Sequence, residues 1–168
     1  EGEDVADFQF DEINNKIYWT SFGDNEIKKA NKDGTEIETI MSTERPVYLE
    51  LDVENNMMYW STSTREIKNI QKSNLDGSNL GEIPNTEGSR GIALDRVNDH
   101  IYWVESIFGG KYDKINRANF DSSDKETLML GYNSYGEDVI LDVPNNKMYW
   151  SDDSIWSSDL DGNNIVEL

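Results

Sequence analysis

Nine side chains in or beside the connecting segments could touch a ligand: Tyr48, Glu105, Phe108, Tyr112, Tyr132, Tyr135, Asp138, Asp152 and Trp156. A tyrosine or tryptophan ring offers a flat apolar face with a polar edge, and a neighbouring carboxylate accepts hydrogen bonds. Rings beside acids suit a protein hot spot, or a sugar site where a ring stacks and an acid takes hydroxyl protons. The plainer reading is that such rings anchor their own loops. Two stretches concentrate them. Ser106–Asp113 sets Phe108 and Tyr112 about the Gly109-Gly110 pair, and Gly131–Asp138 sets Tyr132 and Tyr135 next to Glu137 and Asp138.

Covalent chemistry is poorly supplied by comparison. The chain has one histidine, His100, no cysteine, no Gly-x-Ser-x-Gly elbow and no phosphate-cradling glycine loop. Nucleophile–base pairs are therefore scarce, and the expectation is a protein that is not an enzyme. Asp159-Leu160-Asp161-Gly162-Asn163 clusters oxygens as a calcium loop does, but it lacks the downstream glutamate and its pattern recurs elsewhere. Turn geometry accounts for it. No cofactor and no metal-ligand set is expected.

The elements that must position these residues come from a repeat. Tyr18-Trp19, Tyr59-Trp60, Tyr102-Trp103 and Tyr149-Trp150 follow one another at spacings of 41, 43 and 47 residues. Seven residues before each tyrosine stands an aspartate: Asp11, Asp52, Asp95 and Asp142. Asn14-Asn15, Asn55-Asn56, Asn98-Asp99 and Asn145-Asn146 lie between, and such pairs tolerate positive φ and close tight turns. The apolar runs through Tyr-Trp lack polar alternation, so both faces of those strands must be covered. These eight aromatics are core residues first.

A third strand starts at Ile27, Ile70, Ile115 and Ile155, and six residues later comes Asp33, Asp76, Asp121 or Asp161. Glycine follows three of these aspartates and Ser122 the fourth, a hairpin signal. A fourth strand is expected over 36–41, 80–83, 126–130 and 164–168. A period of 40 to 45 residues with four short strands marks a β-propeller blade. The expected fold is all-β: one propeller domain with four-stranded antiparallel blades at about 6–43, 44–86, 87–133 and 134–168, and almost no helix. Asp7, Glu50 and Asp138 on the innermost strands are the remaining candidates for a central metal. His100 falls at a turn and is expected to be exposed.

The pattern Leu-Asp-x-x-Asn-Asn-x-Ile-Tyr-Trp-Thr/Ser, followed by Ile-x-Lys/Arg-Ala-Asn-x-Asp-Gly, resembles the YWTD repeats of the low-density lipoprotein receptor class B family. The resemblance covers the whole chain in four copies. It implies a six-bladed, non-catalytic, extracellular or secreted module that binds protein ligands on one loop face. The chain departs from the family in keeping the fourth motif residue only at Asp152, in lacking a cysteine-rich neighbour, and in having four repeats.

Net charge is −19, from 34 acidic and 15 basic residues. Nucleic acid and anionic membranes are poor partners for such a chain, and no segment reads as a membrane insertion. Asp24, Glu26, Glu44, Glu66, Glu87, Glu105 and Asp152 are expected on one loop face, where a basic protein segment would bind more tightly at low salt. A multivalent lectin is the alternative. Unpaired terminal blades would leave aromatic faces wet, so a homo-oligomer is also expected.

Overall fold

The computed structural model describes residues 4–64, 69–105, 113–130, 136–151 and 154–168. These form an all-β fold of four four-stranded antiparallel sheets. The one helical element among them is a 3-10 turn at Val143–Asn145. None of their helices is long and apolar enough to cross a membrane.

Each sheet is a meander in chain order. The first contains β1 (Val5–Asp11), β2 (Lys16–Ser21), β3 (Glu26–Asn31) and β4 (Glu38–Ser42). The second contains β5 (Pro46–Asp52), β6 (Met57–Thr62), β7 (Ile70–Asn74) and β8 (Gly81–Ile83). The third contains β9 (Ser89–Asp95), β10 (His100–Glu105), β11 (Lys114–Asn119) and β12 (Glu126–Leu130). The fourth contains β13 (Val139–Asp142), β14 (Lys147–Ser151), β15 (Ile155–Asp159) and β16 (Val166–Glu167). The chain divides into two compact units, Glu1–Glu82 and Ile83–Leu168.

The repeated polar residues build the turns. Asp11 accepts the backbone N–H and the Nδ2 of Asn14, each at 2.8 Å, and Asp52 and Asp95 hold Asn55 and Asn98 in the same two-point way. Asp142 keeps the side-chain bond to Asn145 at 2.8 Å. The next residue then takes the left-handed conformation, at φ 54 for Asn15, 57 for Asn56, 56 for Asp99 and 53 for Asn146. Asparagine and aspartate bear that conformation better than bulkier residues do.

The second hairpin is equally regular. Asp33, Asp76, Asp121 and Asp161 each accept the N–H two residues on, at 2.9 to 3.0 Å. Gly34, Gly77 and Gly162 sit at φ 82 to 83, whereas the serine in the third copy, Ser122, is held at φ 73. A second left-handed residue follows at Glu36, Asn79, Asp124 and Asn164. This is why β4 and β16 begin later than the sequence pattern suggests: the residues at 36 and 164 belong to the turn.

Burial follows the Tyr-Trp runs, and within each unit the two rings face opposite ways. In the first unit Trp60, Leu49, Leu51 and Met58 of the second sheet pack with Tyr18 of the first. Trp60 Nε1 donates to Thr43 Oγ1 at 3.1 Å. In the second unit Trp150, Met148 and Val139 of the fourth sheet pack with Tyr102, Ala93 and Val104 of the third. The Tyr102 hydroxyl donates to the Leu160 carbonyl at 3.3 Å. Tyrosine thus looks towards the following sheet and tryptophan towards the preceding one. Seven of the eight rings are buried; Tyr149 is half-buried, a departure from the all-core expectation.

Polar clasps join neighbouring inner strands. In the first unit Asp7 on β1 accepts the N–H of Leu49 on β5 at 2.9 Å and its neighbour Phe8 N–H at 2.7 Å. Burial pushes its carboxyl above the ordinary value, opposed by those two backbone donors. In the second unit the corresponding position on β9 is Gly91, whose N–H donates to the Glu137 carbonyl at 2.9 Å. A Cβ there would stand 2.4 Å from Asp138 Cα, so only glycine lets the two inner strands approach. His100 is half-buried and meets Tyr102 edge-to-face at 6.3 Å, which corrects its expected exposure.

Candidate functional site

In the first unit, the β2–β3 loop and the β4–β5 connection meet in a cleft of ≈ 730 Å³ lined by Asp4, Phe22, Gly23, Asn25, Ser42, Thr43, Glu44 and Arg45. It is an open, shallow depression and not an enclosed cavity. The loops are knitted by backbone bonds: Phe22 N–H to Asp4 O at 2.8 Å, and Thr43 N–H to Asn25 O at 2.9 Å. Gly23 is required by close approach, because a Cβ would stand 2.9 Å from Asp4 Cβ.

Arg45 is the residue this frame positions. Its N–H donates to Asn25 Oδ1 at 2.9 Å and its Nε to the Ser63 carbonyl at 2.8 Å. Its guanidinium carbon lies 4.1 Å from the Phe22 ring centroid, a cation–π contact. The backbone sits at φ 44, uncommon for a residue with a long side chain and costly unless its surroundings hold it. Here the Asn25 side chain and the paired bonds with Ser63 do so. Ser21 and Lys28 hold the adjacent Asp24 carboxyl below the ordinary aspartate value.

The cleft brings together one guanidinium, two carboxylates (Asp4 and Glu44) and an amide (Asn25). A guanidinium donates to a carbonyl oxygen and a carboxylate accepts from hydroxyls. Carboxylates outnumber cations, so an anion is disfavoured.

The residues singled out from the sequence fare unevenly. Phe108, Tyr112, Tyr132, Tyr135, Asp152 and Glu66 lie outside the described residues. Tyr48 is half-buried on β5, and its N–H meets Ser61 Oγ at 3.4 Å. Asp138 accepts the Val139 N–H at 2.8 Å. Trp156 stacks on Trp150 with centroids 6.4 Å apart and joins the second unit's core.

Glu105 is buried at the end of β10, where Lys114 Nζ at 2.5 Å, Asn116 Nδ2 at 3.0 Å and Lys125 Nζ at 3.7 Å converge on it. Asn116 Oδ1 in turn accepts from Thr127 Oγ1 at 2.8 Å, and Lys125 Nζ lies 5.3 Å from the Trp103 ring centroid. Its oxygens serve the sheet. Among the described residues no three His, Asp or Glu side chains gather as metal ligands.

Reasoning from sequence passed over Arg45, Phe22 and Asn25. One signal was present: Arg45 is a basic residue in a short connection of a strongly acidic chain, immediately before Pro46.

No family model matches the chain. Solved structures share its fold. A nidogen/laminin complex aligns over 99% of this chain and 65% of its own at 20% identity, with a TM-score of 0.87. Streptogramin B lyase aligns over 98% and 54% at 16% identity, TM-score 0.72. A gluconolactonase from Xanthomonas campestris aligns over 90% and 58% at 14% identity, TM-score 0.70. The chain spans between half and two thirds of the length of each.

Several expectations are corrected by these findings. Membership of the low-density lipoprotein receptor class B family does not hold: no family model matches, and the same fold serves proteins as different as these. The physical reason is visible in the turns. The Asp, Asn-Asn, Tyr-Trp and Asp-Gly positions all make sheet and turn, so the motif tracks the fold. The non-catalytic reading and the expectation of no enzyme fall with it, because the fold is shared with a lyase and a lactonase. The same shared fold corrects the expected partners, a protein ligand, a glycan or a second copy of the chain.

Proposed function

We propose that the four sheets are blades of a propeller that acts on a small molecule, and that the first unit's loop cleft holds it. The ligand class is a neutral, polar compound with a carbonyl oxygen beside hydroxyl groups, such as a hydroxylated lactone. The observation that carries this reading is Arg45, fixed by Asn25 and Ser63 and backed by the Phe22 ring at 4.1 Å, within the cleft. Arg45 would receive the carbonyl oxygen, and Asp4 and Glu44 would accept hydroxyl protons. The fold shared with a gluconolactonase and a lyase supports small-molecule chemistry.

D-glucono-γ-lactone is a suitable probe, with amide NMR shifts for binding and acid release at constant pH for turnover. Saturable shifts at Asn25, Thr43 and Arg45 are expected, weakened about tenfold or more in Arg45→Ala, the loss of one hydrogen bond to a charged group. Because the probe is neutral, affinity should change little with salt. Equal binding by wild type and Arg45→Ala, or none by either, would sink the proposal.

A further inference from the structure

A line of hydrogen bonds joins the first unit's core to its cleft. Trp60 is fully buried among Tyr18, Leu49 and Met58, and its Nε1 donates to Thr43 Oγ1 at 3.1 Å. The same Thr43 lines the cleft, where its N–H donates to the Asn25 carbonyl at 2.9 Å. Asn25 in turn accepts the Arg45 N–H on its Oδ1 at 2.9 Å. One threonine therefore meets the buried indole with its side chain and, with its backbone, the residue that holds Arg45.

The second unit shows that burying the ring does not require this bond. Trp103 stands 43 residues after Trp60, and Thr86-Glu87-Gly88 stands 43 residues after Thr43-Glu44-Arg45. Trp103 is as fully buried as Trp60, yet its Nε1 has no hydrogen-bond partner among the described residues. Thr86 Oγ1 donates instead to the Ile83 carbonyl at 2.7 Å. The residue after the shared Thr-Glu pair differs as well. Gly88 takes φ 73, which glycine bears without strain, whereas Arg45 takes φ 44. A long side chain keeps that conformation only where its surroundings over-determine it. The indole–threonine bond thus accompanies the strained arginine, and the copy with glycine does without it.

We infer that Thr43 is a positioning residue: anchored by the Trp60 indole, it fixes the loop backbone that holds Arg45 over Phe22. The state of the cleft is thereby tied to the packing of the core. Without the hydroxyl, the Thr43 N–H is no longer aimed at Asn25, the two loops loosen, and the guanidinium loses its seat. The consequence for ligand binding rests on the small-molecule reading of the cleft, and the positioning itself does not.

Thr43→Val keeps the side-chain shape and removes the acceptor, while Thr43→Ser restores it. Trp103 shows that the scaffold tolerates an unpartnered indole, so the valine variant is expected to fold. Amide hydrogen exchange of the whole chain, without ligand, is read at Thr43 and Arg45 against Leu49, whose N–H is held by Asp7 in the same unit. In Thr43→Val, exchange at Thr43 and Arg45 should quicken about tenfold or more, the loss of one hydrogen bond, with little change at Leu49. Thr43→Ser should return both rates to those of the wild type. Equal quickening at Leu49 would make the bond a general fastener of the sheets and overturn the inference. Unchanged exchange at Arg45, or no recovery with serine, overturns it too. A second arm titrates D-glucono-γ-lactone: the Trp60 indole N–H signal should move with the Arg45 amide, and Thr43→Val should need about tenfold more lactone. Equal lactone affinity in Thr43→Val counts against the inference. Silence of the wild type towards lactone rejects the small-molecule reading alone, and the ligand-free exchange still decides on Thr43.

Discussion

The two units are written with the same repeat, yet they treat the polar residues at their loop ends in opposite ways. In the first, the position at the end of the Tyr-Trp strand is Ser21, which reaches out to Asp24 at 2.8 Å, and the nearby arginine is exposed over a ring. In the second, the equivalent Glu105 turns inward and is met by Lys114, Asn116 and Lys125. At this position the second unit ties its carboxylate into its own strands. In the first unit a guanidinium, two carboxylates and an amide line a cleft nearby. A repeat therefore fixes the scaffold and leaves a few loop-end substitutions to decide which copy carries a site.

That contrast can be broken or sharpened by mutation. The largest effect is expected at the interlocking rings. Trp60→Ala should cost about 3–5 kcal/mol, the usual range for truncating a buried aromatic, and less should be lost in Trp150→Ala because Trp156 stacks beside it and can lean into the space. Urea denaturation of both variants measures this, and equal losses would remove the packing difference between the units.

Next comes the inward carboxylate. Glu105→Ala leaves the buried Asn116 amide without its acceptor, which should cost about 1–3 kcal/mol. Ser21→Ala should be milder, because its partner Asp24 is exposed and finds water instead. A larger loss at Ser21 would reverse the reading of the two loop ends.

The smallest effect is a gain. Ser122 occupies the left-handed turn position that glycine fills in the other three copies, and its buried hydroxyl has no hydrogen-bond partner among the described residues. Ser122→Gly should raise stability by about 1 kcal/mol, read as a higher urea midpoint at unchanged slope. An unchanged or lower midpoint would show that the serine is not strained there.

Much of the scaffold was legible in the residues because local chemistry dictates it. Aspartate with asparagine three residues later closes the first hairpin, and aspartate-glycine closes the second, wherever they occur. The strand starts at 38 and 166 were harder to see, since Glu36 and Asn164 take positive φ without a glycine to announce it. The cleft was not legible at all. Arg45 depends on Asn25, Ser63 and Phe22, which lie up to 23 residues away in either direction and meet only when the loops fold together. Loop aromatics are conspicuous by type; of the residues singled out, Trp156 packs against the second unit's core and Glu105 is met by Lys114, Asn116 and Lys125.

The most direct test places both units in one spectrum. Amide shifts of the whole chain titrated with D-glucono-γ-lactone should move at Asn25, Thr43 and Arg45, stay still at Glu105, Lys114 and Asn116, and need about tenfold more lactone or beyond in Arg45→Ala. Shifts centred on Glu105 and Lys114, or shifts at the first unit that saturate at the same lactone concentration without Arg45, would contradict the account.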